Sequence, residues 1–206
     1  MKANSSLEVS DGAINAFWQW FSNHHSDIEA RLDRSDTDDL TGQINAQVNA
    51  LSPQLAWEIG PGLVAPYMLV FPAEGDAARK AVVEKIMEAA PRLEGWEFHT
   101  SRPTRTFQPE VQLPGRGLSF RTTGWHFELK PSATSDRLEL RIFDDELARV
   151  DENTALTAVF ILLDAVLGED IVERWIGSIK VLSGSSRRDI LPMPTIAERL
   201  AQLIPL

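Results

Sequence analysis

Hydrophobic residues recur at the helical period over several stretches of the chain. Between residues 11 and 33 the apolar side chains fall within one broad arc at about 100° per residue, and the first half of that arc is unusually aromatic. A second helix is predicted to begin with an N-cap at Ser35 or Asp36 and to end before Pro53. Its predicted buried stripe consists of Leu40, Ile44, Val48 and Leu51.

Three later stretches also have helical patterns. Residues 74–76 are expected to cap a third helix, which Pro91 ends. Residues 155–167 are apolar nearly all round, which predicts the most buried helix of the protein. Thr195 and Glu198 have the spacing of a capping box, and this predicts a terminal helix over residues 195–203.

Alternation of apolar and polar residues predicts the strands. Segments with a period of two, and therefore with one buried face, are 55–59, 96–99 and 137–143. Residues 67–71 are apolar on both faces, which is typical of a central strand. Residues 118–129 are strand-like with a break at Gly124, and the turn at 131–136 predicts that they form a hairpin with the strand that follows. A last strand is predicted at 179–182.

Together these elements predict an α+β fold, with a mainly antiparallel sheet of about five to seven strands and with helices packed chiefly on one face. The helix over 155–167 is expected to lie against that sheet. No low-complexity tract or clean linker interrupts the chain. We therefore interpret residues 1–206 as a single α+β domain in which residues 1–10 form a loose N-terminal leader.

Composition limits the classes of function. The absence of cysteine excludes disulfide frameworks, Cys-ligated zinc, iron–sulfur clusters and a thiol nucleophile. A formal net charge of -10 repels phosphate backbones, so no nucleic-acid binding is expected, whereas a basic protein partner would be attracted. The first residues lack an apolar signal segment and the longest apolar run is too short for a membrane span, so we expect a cytoplasmic protein without membrane association.

Two related phrases occur where a helix-like segment gives way to a strand-like one. They read LAWEIG at 55–60 and APRLEGWEF at 90–98. These junctions, together with FWQWF at 17–21 and LDAVLGE at 163–169, resemble a family of uncharacterised bacterial proteins. No agreed activity or catalytic residue is known for that family, so the resemblance implies no site in this chain.

Two of the predicted strands place a carboxylate beside an imidazole. Alternate residues of a strand share a face, so Glu97 and His99 lie on one face of their strand, and His126 and Glu128 lie on one face of theirs. If the two strands are neighbours, the four side chains would meet and could bind Zn or Fe, or carry out acid–base chemistry. The alternative is a solvated face with ordinary cross-strand Glu–His pairs.

Two further segments are candidate binding surfaces. Phe17, Trp18, Trp20 and Phe21 form an aromatic cluster that is either a patch for a protein partner or part of the core. Residues 101–117 are rich in proline and glycine and predict a locally basic loop. This loop either is solvated or holds an anion through Arg102, Arg105 and Arg116.

The sequence lacks the motifs of several common enzyme classes, including dinucleotide-binding and phosphate-binding glycine loops, the His-Glu-x-x-His zinc motif and the Gly-x-Ser-x-Gly nucleophile turn. We therefore interpret the chain as a non-enzymatic binding or interaction protein, immunity-like or regulatory, with a protein partner and no cofactor. The alternative is a small metal-dependent hydrolase that uses Glu97, His99, His126 and Glu128. The sequence leaves the oligomeric state open.

Overall fold

The computed structural model of the protein describes residues 8–184 and 190–204. The fold is α+β, as the sequence predicts. The chain divides into two compact units, Met1–Arg102 (unit 1) and Pro103–Leu206 (unit 2), whereas the sequence shows no linker and predicts one domain. Each unit has its own hydrophobic core, and the boundary falls within the predicted basic loop.

Unit 1 begins with two helices, α1 (Asp11–Asp33) and α2 (Asp38–Leu51). The bounds of α1 agree with the prediction, and the four predicted apolar positions of α2 are all buried. The predicted N-cap of α2 is wrong, because Thr37 occupies that position. The backbone N–H groups of Ser35 and Asp36 instead donate to carbonyl groups of the last turn of α1, so these two residues close the first helix.

The sheet of unit 1 contains β1 (Glu58–Pro61), β2 (Tyr67–Val70) and β3 (Trp96–His99), in that order across the sheet. β1 and β2 are antiparallel, while β2 and β3 are parallel and are connected through α3 (Ala77–Glu88). Asp76 caps α3 by accepting hydrogen bonds from the backbone N–H groups of Ala78 and Arg79, as expected from residues 74–76.

The core of unit 1 is strongly aromatic. Three rings of α1 are buried, namely those of Phe17, Trp18 and Phe21. Phe21 meets Trp96 edge-on with 4.9 Å between ring centroids, and Trp18 meets Phe98 in the same way at 4.9 Å. The aromatic first half of α1 therefore packs against the face of β3 that carries Trp96 and Phe98.

Unit 2 begins with the antiparallel pair β4 (Glu110–Leu113) and β5 (Leu118–Arg121). A second sheet contains β6 (His126–Pro131), β7 (Leu138–Phe143), β8 (Ile176–Leu182) and β9 (Leu191–Pro192), in the order β8-β7-β6-β9. The predicted hairpin is confirmed, because β6 and β7 are antiparallel neighbours. β8 runs parallel to β7 and follows the helices α4 (Glu152–Leu167) and α5 (Glu169–Trp175); the last helix is α6 (Ile196–Leu203).

Helix α4 supplies eight buried residues and is central to the core of unit 2. Gly168 ends the helix with a φ of 84°, a left-handed value that favours glycine. Although this helix is apolar nearly all round, it is not buried on every side. Phe160 and Ile161 are 44% and 42% exposed, so α4 has a solvent-facing strip that is apolar.

The predicted single antiparallel sheet is wrong. Within the described residues the strands form separate sheets of three, two and four strands, and two of the neighbouring pairs are parallel. Alternation predicts that a segment is a strand but says nothing about its partner, because pairing depends on contacts distant in sequence. The predicted capping box is also wrong, since the hydroxyl of Thr195 donates to the carbonyl oxygen of Pro192 at 2.8 Å.

Within residues 8–184 and 190–204, no helix combines the length and the hydropathy needed to cross a bilayer.

Candidate functional site

The clearest polar site in unit 1 is the carboxylate of Glu97 on β3, which holds the turn between β1 and β2. Its oxygens accept hydrogen bonds from three consecutive backbone N–H groups, those of Leu63, of Val64 at 3.1 Å and of Ala65 at 3.2 Å. The Glu97 side chain is only 16% exposed. One carboxylate therefore holds the turn in one conformation by satisfying three consecutive donors.

Gly62 allows the turn to approach the carboxylate this closely. A Cβ atom at this position would lie 2.8 Å from Oε1 of Glu97 and would also collide with the carbonyl oxygen of Ala65. The backbone N–H of Gly62 donates to the carbonyl oxygen of Pro66 at 3.2 Å and closes the loop. A residue with a side chain would have to displace the turn, so glycine is a geometric requirement here.

The charge state of Glu97 limits its chemistry. Burial by itself would raise the pKa of Glu97, but the backbone N–H groups of the turn, together with His99, outweigh burial and lower that pKa to about 2. The carboxylate is therefore ionised throughout the neutral range. A general acid or base works best with a pKa near the working pH, so Glu97 is better suited to holding structure than to proton transfer.

His99 lies beside Glu97 on the same face of β3, as the strand period predicts. Its Nε2 atom is 3.3 Å from Oε1 of Glu97. That nitrogen is buried and has no hydrogen-bond partner within the described residues. The imidazole of His99 therefore lies beside the Glu97 carboxylate, whose oxygens already accept hydrogen bonds from the backbone of the turn.

The turn itself, residues 62–66, exposes apolar side chains, and we refer to it as the hairpin tip. Leu63 is 50% exposed and Val64 is 96% exposed. Turns are normally rich in polar residues, so the apolar triplet Leu63, Val64 and Ala65 is the sequence signal for this surface. Sequence reasoning missed this apolar tip.

The other predicted carboxylate–imidazole pair lies on β6 in unit 2. Glu128 is 10% exposed, and its two oxygens lie 2.6 Å from Nζ of Lys130 and 3.1 Å from Nη1 of Arg141. Nδ1 of His126 is 3.0 Å from the carbonyl oxygen of Gly124. Glu128 is therefore paired with cations of its own sheet.

The four predicted site residues do not share a sheet. Glu97 and His99 lie on β3 of unit 1, and His126 and Glu128 lie on β6 of unit 2. The expectation that the two strands are neighbours is wrong, because β3 pairs with β2 and β6 pairs with β7 and β9. In the ranges 8–184 and 190–204, no group of three or more His, Asp or Glu side chains is placed to hold a metal ion.

The predicted aromatic patch is mostly core. Phe17, Trp18 and Phe21 are 2%, 4% and 0% exposed, so the patch hypothesis is wrong for these three. Trp20 is half-buried and stacks on the ring of His24 with 5.1 Å between centroids. Four aromatic residues in five positions fit into one unit because α1 packs against further rings of the sheet.

The arginines of the predicted basic loop are distributed over both units. Arg102 belongs to unit 1, and its Nε donates to Oε1 of Glu58 at 2.6 Å. Arg105 and Arg116 belong to unit 2, where Nη1 of Arg116 lies 3.6 Å from Oδ2 of Asp151. Arg102 and Arg116 are thus paired with carboxylates of their own units, which weakens the case for a common anion site.

Unit 2 contains a groove that sequence reasoning missed. It has a volume of about 380 Å³ and is lined by the short 3-10 turn after β7, by the beginning of α4 and by residues 179–182 of β8. This volume lies in the range of small ligand sites, roughly 300–1,000 Å³. The sequence predicts the strand at 179–182 that forms one wall of this groove. It does not predict the groove, because the place of that strand in the sheet depends on which strands pair.

Comparisons of the chain with protein-family models, with curated proteins and with solved structures find no match. The resemblance to a family of bacterial proteins, based on the two tryptophan–glutamate junctions, therefore stays a prediction.

Proposed function

We propose that this chain is a non-catalytic interaction protein, immunity-like or regulatory, and that the hairpin tip contacts its protein partner. The observation that carries the proposal is the pairing of an almost fully exposed Val64 with the Glu97 carboxylate, which is 16% exposed and holds the same turn. From the composition of the chain, we expect this interaction to take place in the cytoplasm.

Preorganisation supports this role. A binding loop that is ordered before it meets its partner loses less conformational entropy on association. Three backbone N–H groups of the hairpin tip are already held by Glu97, so Leu63 and Val64 are presented in one arrangement. Exposed aliphatic side chains on an ordered turn suit insertion into an apolar pocket of another protein.

The charge of the chain suits a basic partner. At a formal net charge of -10, the long-range field attracts a protein of opposite charge and accelerates encounter at low ionic strength. The apolar hairpin tip would then supply the contacts that slow dissociation. Affinity should therefore depend on the tip, and the association rate should depend on salt.

The alternative of a metal-dependent hydrolase receives less support. It requires Glu97, His99, His126 and Glu128 to converge, yet these residues lie on strands of two different sheets. The carboxylate of Glu97 accepts three backbone hydrogen bonds, and that of Glu128 is paired with two cations. Neither is available as a metal ligand without loss of these contacts.

The test is affinity purification of the tagged full chain from its native cells, followed by mass spectrometry and by binding measurements on the recovered protein. Val64→Asp should weaken binding about tenfold or more, as expected for a central apolar contact. Leu118→Asp is the matched control, because Leu118 is an exposed aliphatic residue of unit 2. Recovery of no specific partner, or equal binding by both variants, would refute the proposal.

A further inference from the structure

The backbone of the hairpin tip surrounds both oxygens of one carboxylate. Oε1 of Glu97 accepts a hydrogen bond from the backbone N–H of Leu63. Oε2 accepts from the N–H groups of Val64 at 3.1 Å and of Ala65 at 3.2 Å. Successive N–H groups that converge on one point form a concave anion-binding loop, as in loops that bind phosphate. The hairpin tip therefore has the construction of an anion site.

A further polar group faces the same site from β3. Nε2 of His99 lies 3.3 Å from Oε1 of Glu97, and this nitrogen is buried without a hydrogen-bond partner in the described part of the chain. A buried nitrogen of this kind is uncommon, because polar groups that lose water are normally paired inside the protein. In the tautomer with its proton on Nε2, His99 can donate to an anion at this place.

The site prefers a charged ligand to a neutral one. Burial opposes ionisation, yet the backbone N–H groups of Leu63, Val64 and Ala65, together with His99, lower the pKa of Glu97 to about 2. A lowered pKa means that these groups stabilise the carboxylate more than the uncharged acid. The Glu97 side chain is only 16% exposed, so water competes weakly for the same donors.

We propose that residues 63–65 form a binding loop for a monocarboxylate, that Glu97 is its resident ligand, and that occupation of this site orders the hairpin tip. This inference rests on the proposed function in one respect, since it treats the tip as the surface that meets the partner. It adds that the tip is ordered by the bound anion itself, and not by the covalent connection of that anion to β3.

The chain thus supplies the ligand of its own loop, and this limits how a partner can recognise the tip. The three N–H groups already donate to Glu97, so a partner cannot pair with this stretch of backbone through them. Recognition is left to the exposed side chains of Leu63 and Val64. Because Glu97 is always present beside the loop, free carboxylates should not alter the tip of the unchanged chain.

A substitution at Glu97 makes the site accessible to a free ligand. Glu97→Ala removes Cγ and the carboxylate, which together are the heavy atoms of an acetate ion. Acetate should therefore fit the space that this substitution leaves and should bind the same three N–H groups. Unlike Glu97, it is free to rotate, so it can also align with Nε2 of His99.

The test is an NMR titration of the full-length Glu97→Ala chain with sodium acetate, at constant pH and with sodium chloride keeping the ionic strength constant. The amide resonances of residues 63–65 should shift saturably as acetate is added. Their hydrogen exchange should be about tenfold or more faster than in the unchanged chain, because each loses a charged acceptor. Saturating acetate should reverse most of that increase. A folded variant whose three amides ignore acetate, or respond equally to chloride, would overturn the proposal.

A control variant and a control ligand isolate the site. Glu128→Ala deletes the same atoms from another sheltered carboxylate and leaves Glu97 in place, so the amides of residues 63–65 should not respond to acetate. Acetamide has the shape of acetate without its charge and should bind Glu97→Ala about tenfold or more weakly. A response of the tip in Glu128→Ala, or equal binding of the two ligands, would contradict a carboxylate site at the tip.

Circular dichroism shows whether Glu97→Ala is folded. If it is unfolded in chloride, its folded fraction is measured against acetate concentration at constant ionic strength. A rise that acetamide does not produce supports the proposal, and a chain that is unfolded in both salts overturns it. None of these measurements involves a partner. A negative result here therefore leaves the proposed function standing, and failure to recover a partner leaves the anion site standing.

Discussion

Unit 1 and unit 2 share a local topology but use it differently. Each contains an antiparallel strand pair followed by a helical connection to a strand that lies parallel to the second member of the pair: β1, β2 and β3 in the first, β6, β7 and β8 in the second. In unit 1 a side chain of the last strand holds the hairpin turn of the first two. In unit 2 the corresponding strand, β8, pairs on one side only within residues 8–184 and 190–204, and it lies beside a groove.

The difference shows that topology alone does not determine which part of a fold is free to bind. Glu97 on β3 fixes the hairpin tip, so unit 1 presents a turn. The corresponding strand of unit 2, β8, is longer, and in the described part of the chain it pairs with β7 alone. The two cores differ as well, since unit 1 is built around a network of contacting rings, whereas the core of unit 2 combines the aliphatic side chains of α4 with the buried rings of Phe120, Trp125 and Phe127.

Truncation of a core side chain is expected to change the free energy of unfolding more than any other substitution considered for the two units. Phe21→Ala should lower the free energy of unfolding by about 4 kcal/mol, because it removes a fully buried ring that contacts Trp96 and Phe98. Leu163→Ala, at a fully buried position of α4, should cost about 3 kcal/mol. Chemical denaturation measures both losses.

The two core variants should differ in their near-ultraviolet circular dichroism. Phe21→Ala should reduce the aromatic signal strongly, because the ring contacts of unit 1 are lost, whereas Leu163→Ala should preserve it. Similar spectra for the two variants would contradict the assignment of this signal to the ring contacts of unit 1.

Removal of the Glu97 charge should have a smaller effect. Glu97→Gln is expected to cost about 2 kcal/mol, because it weakens hydrogen bonds from three backbone N–H groups to a charged acceptor. Glu128→Gln in unit 2 should cost about 1 kcal/mol, since the cations that pair with Glu128 are exposed to solvent screening. Denaturation of both variants tests this order, and an equal or reversed order would contradict it.

The lowered pKa of Glu97 predicts that the stability of the protein depends on pH in the acid range. The folded pKa of Glu97 is lowered from 4.5 to about 2, so its contribution is fully present above pH about 4.5 and is lost as the pH falls toward about 2. The stability difference between the unchanged chain and Glu97→Gln should shrink over that interval. A constant difference from neutral pH down to pH about 2 would show that ionisation of Glu97 is not the source of the effect.

The smallest expected effect concerns Tyr67, the only tyrosine of the chain. Its hydroxyl donates to Oδ1 of Asp33 at 2.7 Å, and this hydrogen bond, with burial and the neighbouring acidic charges, raises the pKa of Tyr67 to about 12. Titration of tyrosinate absorbance reports this single group directly. Asp33→Asn should move the midpoint down toward 10, with little change in stability near neutral pH.

The control for this titration is Asp36→Asn, at a nearby exposed acid for which no contact with Tyr67 is observed in the described part of the chain. It should leave the midpoint near 12. An unchanged midpoint in Asp33→Asn would show that this hydrogen bond is not what sets the acidity of the hydroxyl.

The sequence by itself determined most of the local structure of this protein. The apolar arc of α1, the buried stripe of α2, the hairpin of β6 and β7 and the α+β class all follow from periods of 3.6 or 2 residues. The predicted shared face of Glu97 and His99 is also found. These features depend on residues a few positions apart, so a local pattern is sufficient to predict them.

Only the tertiary structure decided which strands pair and which polar groups meet. Glu97 is held by donors more than 30 positions earlier in the chain, and β3 and β6, which looked alike in sequence, belong to different sheets. The place of β8 at one end of the strand order, among the described residues, likewise depends on pairing. Pairing reflects the burial of many distant side chains at once, and no short window of sequence contains that information.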